Sequence, residues 1–332
     1  MAKNRSEENA RPKRKLELLP PDEQGRPASR ITLPVDTEEK PRLDVFLSER
    51  LPWRSRNQLK ELIEAGRVEV DGRVRKPSYR VRRNEVVTIV VPSPPMPPLA
   101  FKPGEITVLY EDEYLVVLNK PAGILTHPTS GHQYDTLTNY LEATFGPKGK
   151  RHFICHRLDR ETTGTILIAF DPVVRKLIQY QFEKHLVDKE YFAIVKGCFP
   201  EGTHRIDLPI GKGENLQAAL KNPERKPSLT ITSRVVAGEG ASVVRANPVT
   251  GRQNQIRIHL AARGFPLIGD ERYGGPPPPP TCTHFLLHAR VIRFFHPVQK
   301  LHAEITAPLP PAFRETARFF GLSLPEDCAG EA

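Results

Sequence analysis

A run of prolines limits what this chain can fold into. Residues 92–98 read PSPPMPP. Proline has a fixed φ and no backbone N–H, so neither a helix nor the interior of a sheet can continue through such a run. Successive prolines instead form a stiff, extended connection. We therefore expect a linker at residues 93–101 with a separately folded domain on each side, as a length of 332 residues also favours.

The charge balance narrows the class of partner. The chain has 49 Lys and Arg against 39 Asp and Glu, with a formal net charge of +10 and a pI near 9.5. Such a chain attracts polyanions, above all RNA or DNA. Its four cysteines form no CxxC pair, which favours a reducing compartment over a disulfide framework. No membrane span or secretory signal is evident, so we expect a cytoplasmic protein with no membrane partner.

Both ends of the chain are expected to be tails. Residues 1–40 are polar, charged and proline-bearing, without a hydrophobic period that could bury surface, so the sequence predicts a disordered basic tail. The basic run at residues 11–15 either contacts RNA or is simply solvated. A second tail is predicted at residues 325–332.

Residues 41–92 have the pattern of a small independent domain. Ser55 with Gln58 forms a capping box, and apolar residues then recur at helical spacing. An alternating segment leads to a tight turn at Asp71-Gly72, and a closing strand is predicted at 86–91. The string RLDVFLSERLPWRSRNQLKELIEAGRVEVDG resembles the small α-L RNA-binding module known from a small-subunit ribosomal protein. This resemblance implies RNA binding.

Positive charge is concentrated in this domain. Between Arg42 and Arg83 there are twelve Lys or Arg against six Asp or Glu. Arg56 and Lys60 are one helical turn apart, where they would form a positive ridge suited to phosphates. The expected RNA contacts of the domain are Arg54, Arg56, Lys60, Arg67 and Arg73. The alternative is a stabilising cap with a solvated basic face.

The second domain is predicted at residues 102–324 and belongs to the α+β class. Short β-branched strands alternate with helical runs such as residues 171–184. We expect a mixed, largely antiparallel sheet flanked by helices. No long apolar interface helix stands out, so a monomer is expected.

The segment HRLDRETTG, residues 156–164, carries the strongest indication of chemistry. It lies between the apolar pair Phe153-Ile154 and a predicted strand, so Asp159 is expected on a loop held by the sheet. Arg157 and Arg160 flank Asp159 and would keep its carboxylate ionised. Taken by itself, the string also fits a turn or a helix cap with surface arginines.

HRLDRETTG resembles the signature of the RluA-type pseudouridine synthases, which is HRLD, two variable residues and TSG, with Thr163 here in place of the serine. Further family motifs are matched in order by VVLNKPAGILTHP, KEYFAIVKG, TGRQNQIRIHL, GDERYGG and LHARVIRFFHP. One departure is Asn254, where the family commonly has histidine. The resemblance covers most of the second domain and implies a catalytic domain that isomerises uridine in RNA to pseudouridine, with no cofactor and no metal.

The resemblance also implies roles for individual residues. Asp159 would be the catalytic group, either as a nucleophile on the sugar carbon or as a base on the neighbouring proton. Tyr191 would stack on the uracil and assist proton removal; without the other motifs it would be read as a core aromatic. Arg257 would pair with Asp159. Arg157 would fill the gap left by an extruded uridine, or else form a salt bridge within its own loop.

Other functions fit parts of the sequence. Cys282, His284 and His288 lie close together, but a metal site needs three or four convergent ligands and no second cluster appears. A glycoside hydrolase would need two carboxylates and leaves the basic charge unexplained. No glycine-rich phosphate-binding motif is present. A non-catalytic RNA-binding or ribosome-assembly factor, which has no need of Asp159, is the main alternative.

The sequence does not name the RNA. Large-subunit ribosomal RNA is favoured, because proteins that resemble this chain and carry the same N-terminal module often act there. Transfer RNA is the second possibility. The basic residues suggest phosphate contacts, which carry little sequence information.

Overall fold

The computed structural model describes residues 15–19, 28–51, 56–92, 106–129 and 135–325. The chain forms two compact units, Met1–Pro98 and Leu99–Ala332. The predicted linker at 93–101, the capping residue Ser55 and nearly all of the predicted tail at 325–332 lie outside the described residues. In the part of the chain that is described, no helix has both the length and the apolar character needed to cross a lipid bilayer.

The N-terminal unit combines two short helices with one antiparallel sheet. Its described elements are β1 (Lys15–Leu19), β2 (Ala28–Pro34), α1 (Leu43–Arg50), α2 (Arg56–Glu64), β3 (Val68–Val70), β4 (Arg73–Val74) and β5 (Val86–Pro92). The strands follow the order β1-β2-β5-β3-β4. Asp71 and Gly72 have φ of 48° and 72° and connect β3 to β4, as expected for the predicted tight turn.

The prediction of a disordered tail over residues 1–40 is wrong for residues 15–19 and 28–34, which form strands. Ile31 and Leu33 are each only 4% exposed and pack in the core of the unit, and β2 pairs with β5 along its whole length. Side chains alternate between the two faces of a strand, so a short segment with apolar residues at every second position can bury one face. The polar average over forty residues conceals this local alternation.

The C-terminal unit has a mixed, largely antiparallel sheet with helices, as predicted. Its strands are β6 (Thr107–Glu111), β7 (Leu115–Lys120), β8 (Phe153–Ile154), β9 (Thr163–Ala169), β10 (Asp188–Lys196), β11 (Thr203–Asp207), β12 (Leu229–Ala237), β13 (Ala241–Pro248), β14 (Leu287–His296) and β15 (Leu301–Thr306). Its helices are α3 (Leu137–Phe145), α4 (Pro172–Glu183), α5 (Leu216–Lys221), α6 (Gln255–Ala262) and α7 (Pro311–Phe319).

Within the described residues the main path of this sheet is β11-β12-β13-β10-β14-β9-β7-β6, with β15 paired to β14 and β8 paired to β9. The pair β9 and β14 is parallel, and the other pairs are antiparallel. The loop from β8 to β9 therefore ends in the interior of the sheet, where β9 pairs with both β7 and β14. This is the loop that carries Asp159.

Both faces of the sheet are covered. On β7, Val116 and Leu118 pack in one core cluster that includes residues of α3 and α6. Leu115 and Val117 point to the other face and pack in a cluster that includes residues of α4. Because successive residues of a strand face opposite sides, a strand covered on both sides must be apolar throughout, as LVVL in β7 is.

Candidate active site

A cleft of about 520 Å³ opens in the C-terminal unit. It is lined by residues of the β8–β9 loop, the end of α4, the start of β10 and the segment that joins β13 to α6. Arg157, Asp159 and Tyr191 are among its lining residues. Residues singled out in two separate motifs of the sequence therefore share one cavity.

A close contact between β9 and β14 fixes the end of the loop that carries Asp159. Gly164 has φ of +107°, and a Cβ at this position would lie 2.1 Å from the carbonyl oxygen of Ala289 on β14. Only glycine fits such a site. The neighbouring Thr163 hydroxyl lies 2.8 Å from Nδ1 of His288. The threonine that replaces the family's serine thus uses its hydroxyl to bind the adjoining strand.

A buried lysine also binds the loop that carries Asp159. The Lys120 side chain is fully buried, and its Nζ donates to the carbonyl oxygens of Pro121, Arg160 and Thr162 at 2.8 to 2.9 Å. To donate these three hydrogen bonds, Lys120 uses all three N–H groups of its ammonium form. Burial lowers the pKa of Lys120 to about 7, although the negative charges of Glu161 and Asp159 oppose this shift. Lys120 thereby links the end of β7 to the part of the loop that follows Asp159.

Asp159 is a recessed carboxylate with only 21% of its side chain exposed. Burial raises the pKa of Asp159 above its ordinary value, because loss of water disfavours the charged form. Arg257, Arg157 and Lys120 act in the opposite direction without cancelling the effect of burial. Of the two flanking arginines expected to favour the ionised carboxylate, Arg157 acts in that direction but lowers the pKa of Asp159 by less than burial raises it. Arg160 instead donates to the carbonyl of Gly123 and faces Glu161.

Arg257 reaches Asp159 but has a closer partner. Its Nη1 lies 3.8 Å from Oδ2 of Asp159, whereas its Nε and Nη2 each donate to Asp270 at 2.7 Å. The Asp270 side chain is 1% exposed. A fork of two parallel bonds is the strongest geometry for such a pair. The predicted contact of Arg257 with Asp159 exists, but Asp270 sets the orientation of the guanidinium, and the sequence reasoning assigned Asp270 no role.

Asn254 completes the support of Arg257. It has φ of 56° at the N-terminus of α6, a left-handed conformation that asparagine tolerates better than most residues. Its Oδ1 accepts from Nη1 of Arg257 at 2.8 Å, and its Nδ2 donates to the Tyr273 hydroxyl at 2.9 Å. The position where the family commonly has histidine is thus occupied here by a residue that binds the site arginine.

Tyr191 lies on β10 directly after a β-bulge between Glu190 and Tyr191. Bulges re-aim the side chains that follow them. The side chain is largely buried, and burial, assisted by the negative charge of Asp159, raises the pKa of its phenol. Tyr191 is therefore neutral at physiological pH and can offer a flat ring and a hydroxyl to an occupant of the cleft.

The basic residues predicted to contact RNA in the N-terminal unit differ in whether they form ion pairs within the protein. Arg56 donates to buried Asp44 at 2.7 Å, and Lys60 lies 3.8 Å from Glu64, so the predicted ridge of two free cations is partly neutralised. Arg67 and Arg73 are exposed and make no ion pair with any described residue. Arg54 lies outside the described residues.

The cysteine and histidines considered as metal ligands make other contacts. His288 is buried between Thr163 and the carbonyl of Ala307, and Cys282 contacts the carbonyl of His284. Across the described ranges, no group of three or more His, Cys, Asp or Glu side chains could hold a metal ion.

Comparison with known proteins places two family models on the chain. The model described as RNA pseudouridylate synthase matches residues 114–262, which include the cleft residues Asp159 and Tyr191 and the neighbouring Arg257. The model described as S4 domain matches residues 41–87. Each match falls within one of the two compact units.

Curated proteins with similar sequences cover most of the chain. An RNA pseudouridine synthase of Bacillus subtilis, described as uncharacterized, is 32% identical over 86% of this chain and 97% of its own length. Ribosomal large subunit pseudouridine synthase C of Vibrio vulnificus is 33% identical over 81% and 89%. Ribosomal large subunit pseudouridine synthase D of Haemophilus influenzae is 31% identical over 86% and 94%.

A solved structure has a similar fold. Human RNA Pseudouridylate Synthase Domain Containing 4 aligns with a TM-score of 0.56 and 22% identity, over 66% of this chain and 94% of that one. This likeness concerns the fold alone.

Proposed function

The chain belongs to the RNA pseudouridylate synthase family, in its RluA-type branch with an S4 domain. We propose that it isomerises uridines of large-subunit ribosomal RNA and that the carboxylate of Asp159 is the catalytic group. The RNA class is proposed because relatives that align over most of this chain are named for the large ribosomal subunit. Transfer RNA is the other substrate that a test must include.

The recessed carboxylate of Asp159 carries the catalytic part of the proposal. Isomerisation breaks the bond from the uracil nitrogen to the ribose, turns the base and rejoins it through a ring carbon, with no redox change. One carboxylate suffices, either as nucleophile on the sugar carbon or as base on the neighbouring proton. The guanidinium of Arg257, 3.8 Å away, favours the ionised form that both routes need.

Tyr191 and Arg157 have complementary roles in this proposal. A uridine must leave its stack to reach a recessed carboxylate. The neutral ring of Tyr191 supplies a stacking surface for the turned base, and its hydroxyl assists removal of the proton from the ring carbon. Arg157, exposed at the mouth of the same cleft, fills the gap left in the RNA.

The choice of RNA is testable with transcripts. We expect purified protein to convert a small set of uridines in unmodified large-subunit ribosomal RNA, and none in a transfer RNA pool, when pseudouridine is mapped by mass spectrometry of nuclease fragments. Product confined to transfer RNA would refute the proposed substrate and leave the isomerase reaction intact. No product in either RNA would count against the proposed function as a whole.

We also propose that the N-terminal unit docks RNA through phosphates, with Arg67 and Arg73 as free cations. Replacing both by serine should lower the slope of log affinity against log salt, by about 0.7 to 0.9 for each lost phosphate contact. The slope is measured by filter binding of ribosomal RNA fragments over a salt series. Lys176→Ser with Lys300→Ser removes the same charge from exposed positions of the other unit. Equal slopes in the two double variants would exclude this docking role.

A further inference from the structure

A second cleft adjoins the first. Its volume is about 710 Å³, and it is lined by residues 210–214, Glu224, Lys226, residues 251–254, Arg272 and Tyr273. Residues 251–254, the segment between β13 and α6, also line the cleft that holds Asp159. One short stretch of chain is therefore a wall of both cavities.

The second cleft is lined by more basic than acidic side chains. Lys212, Lys226, Arg252 and Arg272 line it, against the two acids Glu214 and Glu224. Lys212, Lys226 and Arg252 are exposed, and none of them makes an ion pair with a described residue. Arg272 is held by the carbonyl of Gly213 at 2.7 Å. Nε of Arg252 donates to the carbonyl of Pro227 at 3.4 Å. The exposed ammonium groups of Lys212 and Lys226 suit a phosphodiester.

The shared wall contains a glycine that folding does not require. Gly251 is absent from the positions with positive φ, and a Cβ built on it would meet nothing within 4 Å. Gly213, by contrast, would place a Cβ 2.2 Å from the backbone nitrogen of Ala219. Glycine permits close approach of a ligand to the backbone, and the exposed Gly251 leaves space for such an approach.

The wall is physically connected to the site around Asp159. Tyr273, at the base of the second cleft, accepts a hydrogen bond from Asn254, and Asn254 accepts one from Arg257. Arg257 in turn lies 3.8 Å from Asp159. An occupant that fixes the wall would therefore fix the support of the catalytic carboxylate.

We propose that the second cleft binds the nucleotide that adjoins the extruded uridine in the substrate RNA, with Lys212 and Lys226 on its phosphodiester and the base beside Gly251. This inference rests on the proposed function, because a uridine in the first cleft brings its neighbour to the shared wall.

The test uses the full chain and an oligouridylate of about nine nucleotides, a length typical of single-strand sites. Lys212→Ser with Lys226→Ser should lower the salt slope of binding by about 1.4, since each phosphate contact of a single strand contributes about 0.7. Lys176→Ser with Lys196→Ser is the matched control, with the same loss of charge at exposed positions outside both clefts. Its slope should equal that of the wild type.

A second variant probes the wall itself. Gly251→Ala should weaken oligouridylate binding several-fold while thermal unfolding stays unchanged, because the added methyl group meets only the ligand. Equal slopes in the two lysine double variants, unchanged affinity in Gly251→Ala, or a wild type that does not bind the oligouridylate would each overturn the assignment.

The experiments can refute the assignment of the second cleft and the proposed function independently of each other. Pseudouridine formation on ribosomal RNA transcripts is measured in parallel on the wild type. Absence of product with a lysine-dependent salt slope would refute the function and leave the second cleft as an RNA site. Product formation together with equal salt slopes in the two lysine double variants would support the function and refute the second cleft as an RNA site.

Discussion

Asp159→Asn is expected to abolish pseudouridine formation, with the rate lowered by about ten-thousand-fold or more. An amide has nearly the shape of a carboxylate but neither its nucleophilicity nor its basicity, so both candidate mechanisms lose their essential group. RNA affinity should stay within a few-fold of the wild type, because phosphate contacts elsewhere provide most of it. A single-turnover assay with mass-spectrometric detection, combined with filter binding, measures both quantities.

The matched control is Glu183→Gln, which removes the other carboxylate that lines the same cleft. Glu183 is exposed at the end of α4, so its loss changes the charge of the cleft without touching the recessed site. Activity close to that of the wild type is expected. If both variants lost activity equally, the effect would come from cleft charge and Asp159 would have no special role.

Stability provides an independent check on the same variant. Burial raises the pKa of Asp159 above its ordinary value of 3.8, so the ionised form is favoured in the unfolded chain. Folding stability is then lost as the pH rises from that ordinary value through the raised pKa of the folded chain. At neutral pH the wild type carries this cost and Asp159→Asn does not. The variant should therefore unfold at the same or a higher temperature at pH 7, and inactivity caused by misfolding would instead lower it.

Arg257→Lys is expected to cost activity and stability together. An ammonium cannot make the two parallel bonds to Asp270 and also reach Asn254 and Asp159, as the guanidinium does. A hydrogen bond to a charged group contributes roughly 1.5–3 kcal/mol, so loss of one bond to Asp270 should lower the free energy of unfolding by about that amount. Loss of one preorganised donor near the reacting group lowers kcat by about a hundred-fold or more. Denaturant unfolding and the separation of kcat from KM measure these effects.

Arg293→Lys is the matched control for this substitution. Arg293 also binds two carboxylates, Glu304 at 2.7 Å and Asp188 at 2.9 Å, but it does so at the surface. Exposed ion pairs contribute about 0–1 kcal/mol, so this variant should keep both stability and activity. Equal behaviour of the two lysine variants would contradict the role assigned to the buried pair.

Local patterns predicted much of the molecule. The period change from helix to strand located α2, β3 and the Asp71-Gly72 turn, and the apolar pair before HRLD located the loop of Asp159. Motif order indicated that Tyr191 and Arg257 belong with Asp159, although they are distant in sequence. These features depend on neighbours in the chain or on a family resemblance, both of which a single sequence contains.

Partners across the fold were not predictable. Arg257 binds Asp270 more closely than Asp159, and Arg56 binds Asp44 instead of facing solvent as a free cation. Lys120 stood in a quoted motif, yet its three carbonyl partners become evident only when β7 and the Asp159 loop meet. Burial also raises the pKa of Asp159 by more than Arg157 and Arg257 lower it. Such outcomes depend on which buried groups meet in three dimensions, and charge signs along the chain do not determine them.

In the proposed function, the Asp159 carboxylate makes pseudouridine in ribosomal RNA. Its most direct test is a pseudouridine map of total RNA from cells that lack the gene and carry either the wild-type chain or Asp159→Asn. We expect specific large-subunit sites that are modified with the wild type and unmodified with the variant at equal protein level. Restoration of those sites by Asp159→Asn would contradict the claim.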